Sequence, residues 1–131
     1  MNNMVKEVLR IMDIEKKEWS VKISLFKSDY NELQRIAYNL DFSLKKLVNK
    51  SIKYALKDYK INKSIKRKDR IQFLDDELKV YSFKIKEKHY NKLKEIADKI
   101  DMNVKELVKS ILSYYPILVE ECEENLFEDI F

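Results

Sequence analysis

The sequence predicts a mainly helical fold that carries a two-stranded β-ribbon. Two observations lead there. A strand–helix–turn–helix pattern occurs twice, the copies offset by 60 residues without a gap. Within each copy the hydrophobic period changes from two to about 3.6, the change expected where a strand hands over to a helix.

In the first copy Trp19, Val21, Ile23 and Leu25 alternate with Ser20, Lys22, Ser24 and Phe26. This is a half-buried strand with a polar outer face, and Trp19, in phase with the buried side, is expected in the core. Tyr30, Leu33, Ile36/Ala37 and Leu40 then recur at helical spacing, giving a helix of about three turns. Asp41 follows as a turn residue tolerant of positive φ, in a chain that has no glycine to take that place. Ser43 is placed to cap a second helix, whose apolar face is Leu44, Leu47/Val48, Ser51/Ile52 and Ala55.

The second copy repeats each step. Tyr81, Phe83 and Ile85 alternate with Ser82, Lys84 and Lys86, and Tyr90, Leu93, Ile96/Ala97 and Ile100 form the first helical stripe. Asp101 stands at the turn and Asn103 at the cap, and Val104, Leu107/Val108 and Ile111/Leu112 form the second stripe, limited by Pro116. Between residues 30–48 and 90–108, nine of 19 aligned positions are identical. The identities fall on the apolar faces and at the turn, where one backbone constrains two sequences alike. A single strand cannot satisfy its own backbone groups, so the two strands are expected to pair with each other.

The 131 residues suit one ordinary domain, or two very small ones sharing a core, and a 45% hydrophobic content is enough to build it. No apolar run approaches the roughly 18 residues of a membrane span. The N-terminus is charged too early to hold a signal-peptide apolar region. A cytoplasmic protein with no membrane association is therefore expected. The absence of glycine excludes P-loop and GxGxxG phosphate cradles, which need backbone without a Cβ. One cysteine, Cys122, and one histidine, His89, leave no internal disulfide, no metal cluster and no cofactor to expect. No nucleophile stands with a base, so the expectation is that the chain is not an enzyme. His89, matching Asp29 at the start of a helix, reads as a cap-region residue.

Charge narrows the partner. Of 23 acidic residues, Glu120, Glu121, Glu123, Glu124, Glu128 and Asp129 lie beyond Pro116, where no base occurs. The first 116 residues therefore carry all 27 bases against 17 acids. A basic body with an acidic tail suggests a polyanion, most often nucleic acid. Four Arg against 23 Lys suits a thermophile or an AT-rich genome.

With strand, helix, turn and helix present twice, residues 21–48 (VKISLFKSDYNELQRIAYNLDFSLKKLV) and 81–108 (YSFKIKEKHYNKLKEIADKIDMNVKELV) resemble the ribbon-helix-helix family of MetJ/Arc/CopG-type DNA-binding proteins. The family often has glycine at the turn, where Asp41 and Asp101 stand here. Most members are short homodimers, and the tandem arrangement resembles regulators encoded by archaeal viruses. The resemblance implies an antiparallel ribbon lying in the DNA major groove, with the two halves folded against each other as an intramolecular pseudo-dimer. Ser20, Lys22 and Ser24 with Ser82, Lys84 and Lys86 would then face base edges. Lysine can donate to guanine O6/N7 and serine can donate or accept. On pattern alone the same residues could be a solvated ribbon face. The resemblance also implies that the second-helix N-termini clamp phosphates, through Ser43, Leu44 and Lys45 and through Asn103, Val104 and Lys105, where free N–H groups and the positive dipole end are suited to an anion.

The expected organisation is an amphipathic N-terminal helix (1–18), a first motif (19–56), a basic linker (57–79), a second motif (80–115) and an acidic amphipathic tail (116–131). The linker, with Lys57, Lys60, Lys63, Lys66, Arg67, Lys68 and Arg70, is either solvated and partly helical or a further phosphate contact. A short extra strand and turn over Arg70–Asp76 is also possible. Val5, Val8, Leu9 and Met12 at one end, and Val119, Cys122, Leu126 and Ile130 at the other, are stripes that either cover the chain's own core or make protein contacts. Cys122 fits its stripe as a small hydrophobe. Because the repeats already supply a core, residues 117–131 are expected to be dispensable for folding and to serve self-association. The function expected is a sequence-specific double-stranded-DNA-binding transcription regulator, several molecules assembling side by side. The alternatives are an antitoxin-like protein whose tail binds a protein partner, and an architectural DNA binder.

Overall fold

The computed structural model of the chain describes residues 17–62 and 76–130. The expected N-terminal helix up to residue 16, the Arg70–Asp76 strand apart from Asp76, and most linker bases lie outside these residues, while Glu18, expected to end that helix, stands in a strand. The order is β1 (Glu18–Phe26), α1 (Lys27–Asn39), α2 (Leu44–Asn62), β2 (Leu78–Lys86), α3 (Glu87–Lys99), α4 (Val104–Leu112) and α5 (Tyr115–Ile130). The fold is mainly helical, and β1 and β2 pair antiparallel in a two-stranded sheet. The second strand begins at Leu78, inside the stretch expected to be linker, and α2 runs on past Ala55 to Asn62.

The register sets Lys22 opposite Ser82, Ser20 opposite Lys84 and Ser24 opposite Val80. Lys22 and Ser82 are 60 positions apart, so the centre of the ribbon falls where the two repeats coincide. The ladder continues beyond both strands. The N–H of Lys27 donates to the Glu77 carbonyl at 2.8 Å, and the N–H of Glu87 donates to the Lys17 carbonyl at 3.0 Å. Each first helix thus starts without a side-chain cap from its own N-cap residue, because the opposite strand takes its first donor. Asp76 adds to this at α1, accepting from Ser28 N–H at 3.1 Å and Ser28 Oγ at 2.5 Å. A carboxylate at that end also complements the helix dipole.

Both turns close in the same way. Asp41 (φ 56°) and Asp101 (φ 54°) take the left-handed conformation, and the following N–H groups of Phe42 and Met102 donate back to Ala37 and Ala97 at 2.8 and 2.9 Å. This six-to-one bond defines a Schellman end, which needs one residue at positive φ; aspartate fills it in a chain without glycine.

One core lies beneath the ribbon. Val21, Ile23, Leu25, Phe83 and Ile85 meet Leu33, Ile36, Leu47, Val48, Ile52, Leu93, Ile96, Leu107, Val108 and Ile111 there. Three expectations are corrected. Trp19 is on the inner face but 48% exposed, since it sits at the ribbon's end where the helices no longer cover it. It is held instead by stacking on Tyr90, ring centroids 4.9 Å apart. At the other end of the chain, α5 is not an appendage. Tyr115, Pro116 and Val119 are buried, and α5 packs on α2, α1 and α4. Pro116 in its first turn costs no helical hydrogen bond. Residues 117–119 therefore belong to the core, which the two repeats were expected to supply without them. Cys122 is exposed and does not pack as the small hydrophobe it was expected to be.

Candidate nucleic-acid interface

Alternation along the ribbon sends Ser20, Lys22, Ser24, Ser82, Lys84 and Lys86 to the exposed side, all on one face. The bond pattern explains how closely they stand. Lys27–Glu77 bonding extends the odd-numbered, hydrogen-bonded pairs, so the outward even-numbered residues are non-hydrogen-bonded pairs, whose Cα atoms lie about 4.5 Å apart. Lys22 with Ser82 and Ser20 with Lys84 are therefore immediate neighbours across the ribbon.

The register also adjusts the expected set. By position in the repeat, the counterparts of Ser20, Lys22 and Ser24 are Val80, Ser82 and Lys84, while Lys86 matches Phe26. Lys86 sits at the rim opposite Glu18, and Val80, which sequence reading left out, occupies an inner outward position. The signal for Val80 was present in the 60-residue offset, but it lay outside the apolar-polar alternation by which the second strand was recognised.

Asn49 was missed altogether. It is buried on α2. Its Nδ2 donates to the Lys84 carbonyl at 3.0 Å and to the Lys45 carbonyl at 2.8 Å, and its Oδ1 accepts from Lys86 N–H at 3.0 Å. One amide thus satisfies the free edge of β2 beneath two outward lysines and fixes their backbone to α2. A buried asparagine between Val48 and Ser51 on a helix's inner face was the available clue.

The second-helix N-termini are capped as expected. Ser43 Oγ accepts from Lys46 N–H at 3.1 Å and Asn103 Oδ1 from Glu106 N–H at 2.8 Å. Helix geometry gives the N–H groups of Leu44, Lys45, Val104 and Lys105 no intrahelical acceptor. Lys45 and Lys105 are exposed, while Leu44 and Val104 are half-buried and could offer an anion only their backbone. Lys45 is not idle, since it forms an ion pair with Glu18 at the ribbon's rim. That hydrogen bond holds the Glu18 carboxyl below its usual range, and the charges of Lys45, Lys84 and Lys86 act in the same direction. Lys46 lies 4.2 Å from the centroid of the Phe42 ring.

The acidic helix α5 turns several of its carboxylates inward on the first repeat. Glu120 accepts from Arg35 at 3.1 and 3.2 Å and from Asn39 at 3.0 Å; Glu124 accepts from Asn39 at 2.7 Å; Glu123 pairs with Lys50 at 2.6 Å. These contacts place acid against α1 and α2. His89, third residue of α3, is buried, and burial together with Lys88, Lys86, Lys92 and Lys53 lowers its pKa to about 4. A neutral imidazole there is a packed group.

Among the described residues, no group of three or more His, Cys, Asp or Glu is placed to hold a metal ion, and no helix is long and apolar enough to cross a membrane. Comparison with protein-family models, with curated proteins and with solved structures finds no match.

Proposed function

We propose that the chain is a sequence-specific double-stranded-DNA-binding regulator of the ribbon-helix-helix kind, its two motifs acting as an intramolecular pseudo-dimer. The observation that carries this reading is the pairing of Lys22 with Ser82 and Ser20 with Lys84 on an exposed two-stranded face. A two-stranded ribbon fits the major groove, and these side chains offer hydrogen bonds to base edges there. Exposed Lys45 and Lys105 in the first turns of α2 and α4, next to capped N-termini, supply phosphate contacts that carry no sequence information but set the register. Such a ribbon spans a short site, so useful affinity comes from several molecules side by side on one operator.

The test is selection from a random duplex library with the full chain, followed by titration of enriched and scrambled duplexes at fixed salt. A regulator prefers the enriched duplex by roughly 10³ or more. A preference below about tenfold would favour an architectural binder, and no duplex binding at all would end the DNA reading.

A further inference from the structure

We propose that the ribbon face is divided chemically, and that Val80 and Leu78 read thymine C5-methyl groups while the opposite end reads polar base edges. This rests on the DNA-binding reading above. On the outward face, the end formed by Ser20 facing Lys84 and Glu18 facing Lys86 is polar, with Lys22 and Ser82 at the centre. The other end is formed by Ser24 facing Val80 and Phe26 facing Leu78. Val80 is 64% exposed and Leu78 57% exposed. They point away from the core that Val21, Ile23 and Phe83 fill, so they do nothing for packing.

Two exposed aliphatic side chains on a strand forfeit hydrophobic free energy unless something covers them. What covers them is set by their neighbours. Val80 lies one pleat from Ser82, about 6.8 Å along the strand, which is about two base-pair rises. Any surface that engages Ser82 and Lys22 must also reach Val80, and that surface is polyanionic. Among base edges of the major groove, the apolar group is the thymine methyl. An apolar protein surface or a lipid would have to bury the adjacent lysines as well. The site read by one molecule is thus asymmetric, with thymines under the Leu78–Val80 end.

The experiment takes the duplex enriched from the random library and replaces each thymine in turn by deoxyuridine, which removes the methyl alone. The full chain should lose about fourfold in affinity per methyl at one or two positions in one half of the site, the value of one buried methyl-sized group. Val80→Ala should bind less tightly and become indifferent to uracil there, Val80→Ile should keep the sensitivity, and thermal unfolding of both should match the parent. Uracil tolerated at every position, or unchanged uracil sensitivity in both Val80→Ala and Leu78→Ala, would overturn the inference while leaving the DNA reading standing. A library that yields no preferred duplex would overturn the inference together with the sequence-specific reading, and no duplex binding at all would end the DNA reading itself.

Discussion

Lys22 and Ser82 occupy the same place in the two repeats and face each other at the centre of the ribbon. Exchanging the repeats maps the register onto itself, yet the residues exchanged differ. One backbone symmetry therefore carries two chemistries: Ser20 exchanges with Val80, Ser24 with Lys84 and Phe26 with Lys86. The ribbon is symmetric in its bonds and asymmetric in what it offers a partner.

Lys22→Ala and Lys84→Ala should each weaken binding to the enriched duplex by about 1–3 kcal/mol, the usual worth of a base contact. Both side chains are exposed, so denaturant midpoints should not move. Equal affinity for the parent and both variants would shift the DNA-binding face elsewhere.

Glu18→Gln should release Lys45 from its ion pair and strengthen duplex binding about two- to fivefold, the range of an exposed pair. The gain should shrink as salt rises. Anisotropy titrations at two ionic strengths check this. Weaker binding by Glu18→Gln would mean that the pair orients Lys45 for its partner and does not compete with it.

Asn49→Ala should destabilise the fold by about 1–3 kcal/mol, because the Lys84 carbonyl and Lys86 N–H lose a partner at a half-covered edge. Amide exchange at Lys86 should accelerate more than exchange at Phe83. Uniform acceleration would indicate general loosening without a specific role for the amide.

His89 sets a pH dependence. Its pKa falls from 6.5 when unfolded to about 4 when folded, so between these values the unfolded chain binds a proton that the native one does not. Stability contributed by the neutral side chain is complete above pH 6.5 and is lost as pH falls toward 4, by at most about 1.4 kcal/mol per unit. Urea unfolding of the parent and of His89→Leu at pH 7 and pH 5 should show a steeper loss in the parent. Parallel losses would remove His89 from the account.

Val119→Ala should cost about 1–3 kcal/mol, as its side chain is completely buried. Deleting residues 117–131 should lower the unfolding temperature as well, since it removes Val119 and the carboxylates paired with Arg35 and Lys50. A truncated chain as stable as the parent would return α5 to the role of a peripheral element.

By itself the sequence determined the elements and their order. Period two, period 3.6, the aspartates at the turns and the caps at Ser43 and Asn103 are local matters, decided by which side chains a short stretch of backbone can accommodate, and a 60-residue repeat states each of them twice. The outward positions of Lys22 and Lys84 follow from the same alternation. Tertiary structure alone decided the rest. Whether Trp19 is covered depends on how far the helices extend under the ribbon. Whether Val119 is core depends on α5 meeting α2. Val80 joins the outer face through the register, and Asn49 is useful only because it meets the edge of β2. These are contacts between residues distant along the chain, and local periodicity carries no record of which distant surface a side chain will meet.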